Sequence, residues 1–244
     1  MKKLLSLCCV IFTLVNVYGV WNAERTAAFL KEMDKAGNPH NAAKNIKSMK
    51  IVIDCTFKKL NIPMSLTTIY KSPDKMKQIV IIPGVQQETV YFNGQKGFSV
   101  DSVGGVTPVE GVMLEQMKAA VKLITPGISL TEIFDKVEIA DTLEERDGKK
   151  YVAITCNFKP EQKLSAYKIL ADPQTKLPVY VFVKQLSQLG SIEVITHNLE
   201  FKELNGIVIP VKSVQTMLNM QIEHNLKSFI INQNYPDSDF EYKE

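Results

Sequence analysis

Residue types able to run chemistry are sparse in this chain and stand far apart. The three histidines, His40, His197 and His224, show no metal-ligand spacing with one another or with the cysteines. No Gly-x-Ser-x-Gly elbow occurs, no cysteine meets a histidine at a helix start, and no glycine loop cradles a phosphate after a strand. Glu144-Glu145 and the acids Asp237 and Asp239 lie beside turns, where carboxylates are ordinarily solvated. A carboxylate-pair hydrolase assembles its acids only in three dimensions, so that class stays as a rival reading. The residues point to no catalytic group, no metal and no cofactor. What they supply is soft apolar surface: Met64, Met76, Met113, Met117, Met217 and Met220. Unbranched, polarisable methionines either fill an irregular core or line a pocket that adapts to its ligand.

Short β-forming runs must position those methionines. Between residues 62 and 100 three or four such runs follow one another with no room for a helix. Ser72-Pro73-Asp74-Lys75 reads as a type I turn, Pro83-Gly84 breaks the next run, and Asn93-Gly94 reads as a type I′ hairpin. Upstream, the alternation of Ile51, Ile53, Cys55 and Phe57 predicts a strand with one drier face. After residue 138 further runs flank Asp147-Gly148, Asp172-Pro173 and Asn205-Gly206, and a last one covers 220–231. Pro210 argues for an edge or a bulge. The tail from Tyr235 to Glu244 reads as polar and loosely held.

Helical periods interrupt this pattern twice. Residues 21–36 place Phe29, Leu30 and Met33 on one face, and Gly37 ends that helix. Asn38-Pro39 predicts a second helix, with Ala42, Ala43, Ile46 and Met49 as its stripe. Thr107-Pro108-Val109-Glu110 reads as a capping box opening a helix whose stripe includes Val112, Met113, Met117 and Val121. Ser129-Leu130-Thr131-Glu132 opens a shorter one, through about Val137. The fold class is mostly β (α+β), with roughly ten or eleven strands and three to four helices. Twist accumulates over so many strands, and exposed edges invite aggregation, so the sheet must curl or close. A curved half-barrel with helices across its opening fits, and so does a closed up-and-down barrel.

Composition narrows the classes. At 244 residues, 45% hydrophobic and 23% charged, the chain reads as one globular domain over 20–244. The net charge of +3 includes Lys2 and Lys3 at the extreme N-terminus, so a nucleic-acid role has no electrostatic support. Residues 1–19 read as a signal peptide: a basic Met1-Lys2-Lys3, an apolar Leu4 to Val15, and cleavage before Val20. An uncleaved anchor is the alternative, although the stretch is short for a spanning helix. Cys8 and Cys9 come too early for a lipid-modified N-terminal cysteine. Cleavage leaves Cys55 and Cys156, either a disulfide or two buried thiols.

The middle of the chain resembles a known family. Tyr70-Lys71-Ser72-Pro73-Asp74-Lys75-Met76, then Ile82-Pro83-Gly84, then Phe92-Asn93-Gly94-Gln95-Lys96-Gly97-Phe98-Ser99-Val100 carry the first part, followed by Gly104-Gly105 and the Pro108 to Leu123 helix. Leu204-Asn205-Gly206-Ile207-Val208-Ile209-Pro210, Ile230-Ile231-Asn232 and Pro236-Asp237-Ser238-Asp239-Phe240 carry the second. Together they resemble the outer-membrane lipoprotein-sorting family, proteins like LolA and LolB. The resemblance implies an open, incomplete β-barrel with helices lidding a hydrophobic cavity, in the periplasm of a Gram-negative bacterium. It also implies carriage of lipoprotein acyl chains without a cofactor. The family's carrier latches its lid with a buried arginine. Arg25 and Arg146, the only arginines here, fall in an early helix and beside a turn, leaving Lys58 or Lys59 as basic alternatives.

The expected site lies between the concave sheet face and the lid helix. Met64, Leu66, Tyr70, Val90 and Phe92 supply the sheet side, Met113, Met117 and Val121 the lid, and Met220, Ile222 and Leu226 the far strand. The expected partners are lipid or lipoprotein acyl chains, with inner- or outer-membrane proteins as further partners, and the expected state is a monomer. A cell-envelope interaction module on the same fold is the alternative.

Overall fold

Asn22 caps the first helix, its side chain accepting a hydrogen bond from the Arg25 amide at 2.8 Å. That helix, α1 (Ala23–Gly37), buries Phe29 and Leu30. The computed structural model describes residues 22–84, 86–187 and 190–242, so the expected signal segment 1–19 lies outside the described residues.

The second helix expected from Asn38-Pro39 does not form. Asn41 takes a left-handed φ of 54°, one 3-10 turn covers Ala42–Asn45, and Ser48 already begins a strand. Tertiary hydrogen bonds outweigh the helical stripe. The Lys47 amide donates to Asn232 Oδ1 at 2.8 Å, and the Ser48 hydroxyl donates to the Gln233 carbonyl at 2.6 Å. Ala43, Ile46 and Met49 reach the core all the same, from a turn and a strand.

Successive antiparallel hairpins follow as β1 (Ser48–Phe57), β2 (Ile62–Lys71), β3 (Lys75–Ile82) and β4 (Gln86–Phe92). The turn into β5 (Gly97–Val100) is a longer loop than the type I′ pair expected. Asn93 Oδ1 accepts from the amides of Gln95 and Lys96, and only Gly94 has a positive φ, 95°. β6 (Val106–Val109) overturns the capping box at Thr107: these residues pair with β5, and α2 (Gly111–Ile124) starts from Glu110 instead. Pro108 is tolerated because β6 is an outermost strand, where a missing N–H costs no ladder bond. The box at Ser129 does form, with the Ser129 amide and hydroxyl both donating to Glu132 Oε2 at 2.8 Å. It opens α3 (Leu130–Ile133), which stops short of Val137 because the chain there enters a strand.

The remaining strands are β7 (Lys136–Ile139), β8 (Glu144–Arg146), β9 (Lys149–Asn157), β10 (Tyr167–Ala171), β11 (Pro178–Ser187), β12 (Gly190–Leu204), β13 (Ile207–Met217) and β14 (Met220–Ile231). Asp147-Gly148 and Asn205-Gly206 make two-residue turns with all four residues at positive φ, the hairpin geometry their chemistry favours. Pro210 pairs with Phe201 beside the irregular register at Glu200, so the expected bulge is present.

All fourteen strands join one curved, unclosed antiparallel sheet, in the order β6-β5-β4-β3-β2-β1-β14-β13-β12-β11-β10-β9-β7, with β8 on β9. β6 and β7 are its two ends, and the chain between them is the α2–α3 segment. The helices therefore span the gap that the sheet leaves open. They pack on one face in two clusters. Phe29, Leu30, Ala119 and Phe134 meet Ile154, Cys156 and Ile169. Val121, Met117 and Leu114 meet Met49, Tyr70, Met76 and Phe92. A smaller cluster of Tyr151, Ala153, Leu170 and Tyr180 lies on the other face.

Cys55 and Cys156 are both buried and both free, which decides between the two sequence readings. The tail corrects the expectation of a loose end. Phe240 is fully buried, and Asp237 bridges Lys71 and Lys75, both at 2.6 Å.

Candidate functional site

Cross-strand register places the expected sheet residues on the helix-covered face. Tyr70 lies between Met49 and Met76, Phe92 between Met76 and Gly97, Leu66 between Ile53 and Val80, and Val90 between Gln78 and Ser99. Met64 faces Cys55 across the ladder, Leu226 faces Ile53, Ile222 faces Phe57, and Met220 faces Met217. Sharing a face is not sharing a cavity. Tyr70, Phe92 and Val121 are only 1%, 1% and 2% exposed and belong to one packed cluster with Met117. Met64, Leu66, Val90 and Leu226 are half-buried, Ile222 is buried, and Met113 and Met220 are exposed.

A larger hollow opens elsewhere, where helix ends meet strand ends. It measures about 660 Å³. Met33 of α1, Leu123 of α2, Ile128 of the α2–α3 link and Ile133 of α3 form one wall. Leu177, Phe201 and Ile207 from the β11, β12 and β13 side form the other. Lys31, Asp34, Lys35, Asn38 and Asn41 bring polar groups to its lining. Burial and the Glu132 carboxylate both push the Asp34 carboxyl upward, so this rim disfavours additional negative charge on Asp34. A second hollow of about 300 Å³ is lined by Phe92 and Val121 of the expected set, with Ala119, Thr125 and Phe158. Ile128 and Ile133 line both hollows, so the α2–α3 link is the partition between them. None of Met64, Leu66, Tyr70, Val90, Met113, Met117, Met220, Ile222 or Leu226 lines either one.

The two hollows differ in character. The larger is apolar-walled with polar groups at α1; the smaller carries Asp74, Glu115, Lys118 and Lys122 among its lining. Among the described residues no group of three or more His, Cys, Asp or Glu is placed to hold a metal ion. His224 is held below its ordinary pKa by burial, which favours its neutral form. Lys58 and Lys59 sit in the exposed loop between β1 and β2, where Lys58 pairs with Glu223 at 2.9 Å, not at the lid. No helix among the described residues is long and apolar enough to cross a membrane.

Solved structures share this arrangement. A domain named as an outer membrane lipoprotein-sorting protein, from Vibrio parahaemolyticus, matches 90% of this chain and 97% of its own with a TM-score of 0.55, at 13% identity. The fold is LolA-like. A LolA superfamily protein from Nitrosomonas europaea matches 89% of this chain and 97% of its own, also with a TM-score of 0.55, at 11% identity. No protein-family model matches the sequence, and no curated protein matches it. At such identity the likeness establishes the LolA-like fold alone.

Six residues that wall the larger hollow escaped sequence reasoning: Leu123, Ile128, Ile133, Leu177, Phe201 and Ile207. Their only sequence signal is apolar character beside breakers, as in Pro126-Gly127-Ile128 and Leu177-Pro178. Met33 was legible as part of a helix face with Phe29 and Leu30, but not as a residue of the site.

Proposed function

We propose that this protein is a carrier that binds an acyl chain of a lipid or lipoprotein in the hollow between α1, the α2–α3 link and the ends of β11–β13. It is a single domain, exported to the periplasm of a Gram-negative cell by a cleaved segment 1–19, and it acts without a cofactor or a catalysed reaction. The observation that supports this reading is the 660 Å³ hollow with apolar walls beneath the helix layer. Ligand sites commonly measure roughly 300–1,000 Å³, with apolar walls and a few polar groups that fix orientation. Each buried methylene contributes about 0.8 kcal/mol, so eight of them contribute about 6 kcal/mol before the cost of association.

The half-buried Met64, Leu66, Val90 and Leu226 are a second stretch of apolar wall on the same face, which a long chain would follow. Displacement of a fluorescent fatty acid tests both parts. Phe201→Asp is expected to weaken uptake at least tenfold, and Leu226→Asp to weaken it only for long chains. Native mass spectrometry of protein taken from its source is expected to show bound lipid. No lipid there, together with no probe uptake, would end the carrier reading.

A further inference from the structure

The two-residue turn at Asp147-Gly148 folds β8 back beside β9 and leaves Arg146 over the outer face of the sheet, opposite the helices. Its guanidinium lies 4.8 Å from the Tyr180 ring centroid and 5.2 Å from that of Phe182. Those rings fix the plane of the group and cover one side of it. Yet one of its donors is unmatched. Nε is buried without a hydrogen-bond partner, and among the described residues Arg146 has no ion pair. A buried donor left unmatched costs free energy unless something arrives to accept from it.

Arg146 also lines a hollow of about 510 Å³ on that face. Tyr180, His197 and Val214 form one cross-strand row of its floor, and Ile195 and Thr216 belong to the next. Leu199 stands 55% exposed in its wall. His197 stacks on Tyr180 at 4.1 Å and is held below its ordinary pKa, mainly by burial, so it brings an apolar ring more than a charge. Of the other charges nearby, Lys58 pairs with Glu223 at 2.9 Å, Lys168 over the Phe182 ring pairs with Glu144 at 2.6 Å, and Asp147 accepts from the Tyr180 hydroxyl. Lys149, opposite Arg146 in the β8–β9 ladder, is a further cation acting on His197. Asp147 is the anion in the lining of this hollow and opposes a second one. The case for this site therefore rests on a guanidinium held against two rings with its Nε unmatched, not on net charge.

We propose that this outer-face hollow binds a small molecule carrying one carboxylate or phosphate beside an apolar body. Arg146 accepts the anion as a planar donor fork, and Ile195, Leu199 and Val214 take the apolar part. The site is separate from the acyl-chain hollow beneath the helices and stands whether or not that hollow carries lipid.

Titration of the whole protein with phenyl phosphate, followed through the Arg146 Nε–H and His197 ring resonances, tests it. Both signals are expected to move with a dissociation constant in the roughly millimolar range or tighter. Benzyl alcohol is expected to leave the Nε–H signal in place, and inorganic phosphate to bind more weakly than phenyl phosphate. Arg146→Gln is expected to lower affinity roughly ten- to hundredfold, the worth of charge-assisted hydrogen bonds. Arg146→Lys keeps the charge but loses the fork, and about tenfold is expected. Asp147→Asn keeps a residue suited to positive φ and removes the opposing charge, so binding tightens. Leu199→Ala, at an exposed position, narrows the gap between phenyl phosphate and inorganic phosphate while the fold stays intact. Equal binding by Arg146→Gln in a protein whose spectrum remains dispersed would overturn the anion site. Equal affinity for inorganic and phenyl phosphate would overturn its apolar half.

Discussion

Met117 occupies the space that a side chain at Gly97 would need. A β-carbon built on Gly97 would fall 2.8 Å from the Met117 sulfur and 3.1 Å from Val109 Cβ. The lid helix thus sits directly on the sheet at this point, with no layer between. Gly97→Val must push α2 away from β5, and overpacking of this kind costs about 1–3 kcal/mol. Gly97→Ala is milder because the methionine end can swing aside. Urea unfolding midpoints are expected to fall in the order wild type, alanine, valine; a valine variant as stable as wild type would refute the contact.

Acid should release the C-terminal tail before it unfolds the sheet. Asp237 accepts from Lys71 and Lys75, and those bonds hold its carboxyl at about 2, below the ordinary 3.8. A depressed carboxyl pKa stabilises the folded form above the unfolded value, and the contribution fades as pH falls from about 4 through about 2. The bridged residue is exposed, so the effect is local. Phe240 resonances are expected to shift across that range in wild type and to show no such step in Asp237→Asn.

Both core thiols should be inert in the native protein. Burial pushes Cys55 up to about 11 and Cys156 up to about 12. The thiolate is the reactive form, so its population near pH 8 is negligible at either position. A disulfide reagent such as dithiobisnitrobenzoate is expected to label neither until denaturant opens the fold, and then to label both. Rapid native labelling of Cys156 would mean that the helices do not cover β9 as described.

Much of the turn and cap chemistry was legible in the sequence, the Asn93-Gly94 pair excepted; assembly of the site was not. Asp147-Gly148, Asn205-Gly206 and the Ser129–Glu132 cap depend on residues within four positions, and all three form. The stripe at Ala42 to Met49 failed because Asn232 and Gln233, far along the chain, decide there, and the box at Thr107 failed because residues 106–109 pair back on the preceding strand β5. Alternation placed Leu66, Tyr70 and Phe92 on the correct face, since one face of a strand follows from period two alone. Which of them touch a hollow depends on where α2 lands. The residues that line the larger hollow come from the ends of several elements and share no period, so no pattern joins Met33 to Phe201. Arg146 was legible only as a turn neighbour. Its place over Tyr180 and Phe182 depends on the register of β9, β10 and β11.

Under the proposed carrier function, the partition between the two inner hollows should set the length of chain that is bound. Ile128 lines both the 660 Å³ and the 300 Å³ space and is itself 36% exposed, so trimming it removes little packed core. Ile128→Ala opens the wall toward Phe92, Val121 and Phe158, where further methylenes can leave water. Each methylene newly buried is worth about 0.8 kcal/mol, or about fourfold in affinity. The variant is therefore expected to gain affinity for chains two carbons longer than the wild-type optimum, by roughly tenfold if both methylenes enter. Ile128→Trp fills the same gap and is expected to shift the optimum the other way. Competition binding over a series of fatty acids of increasing length measures both. If the optimum stays put in the two variants, then Ile128 does not divide a common space, and the chain lies in the larger hollow alone.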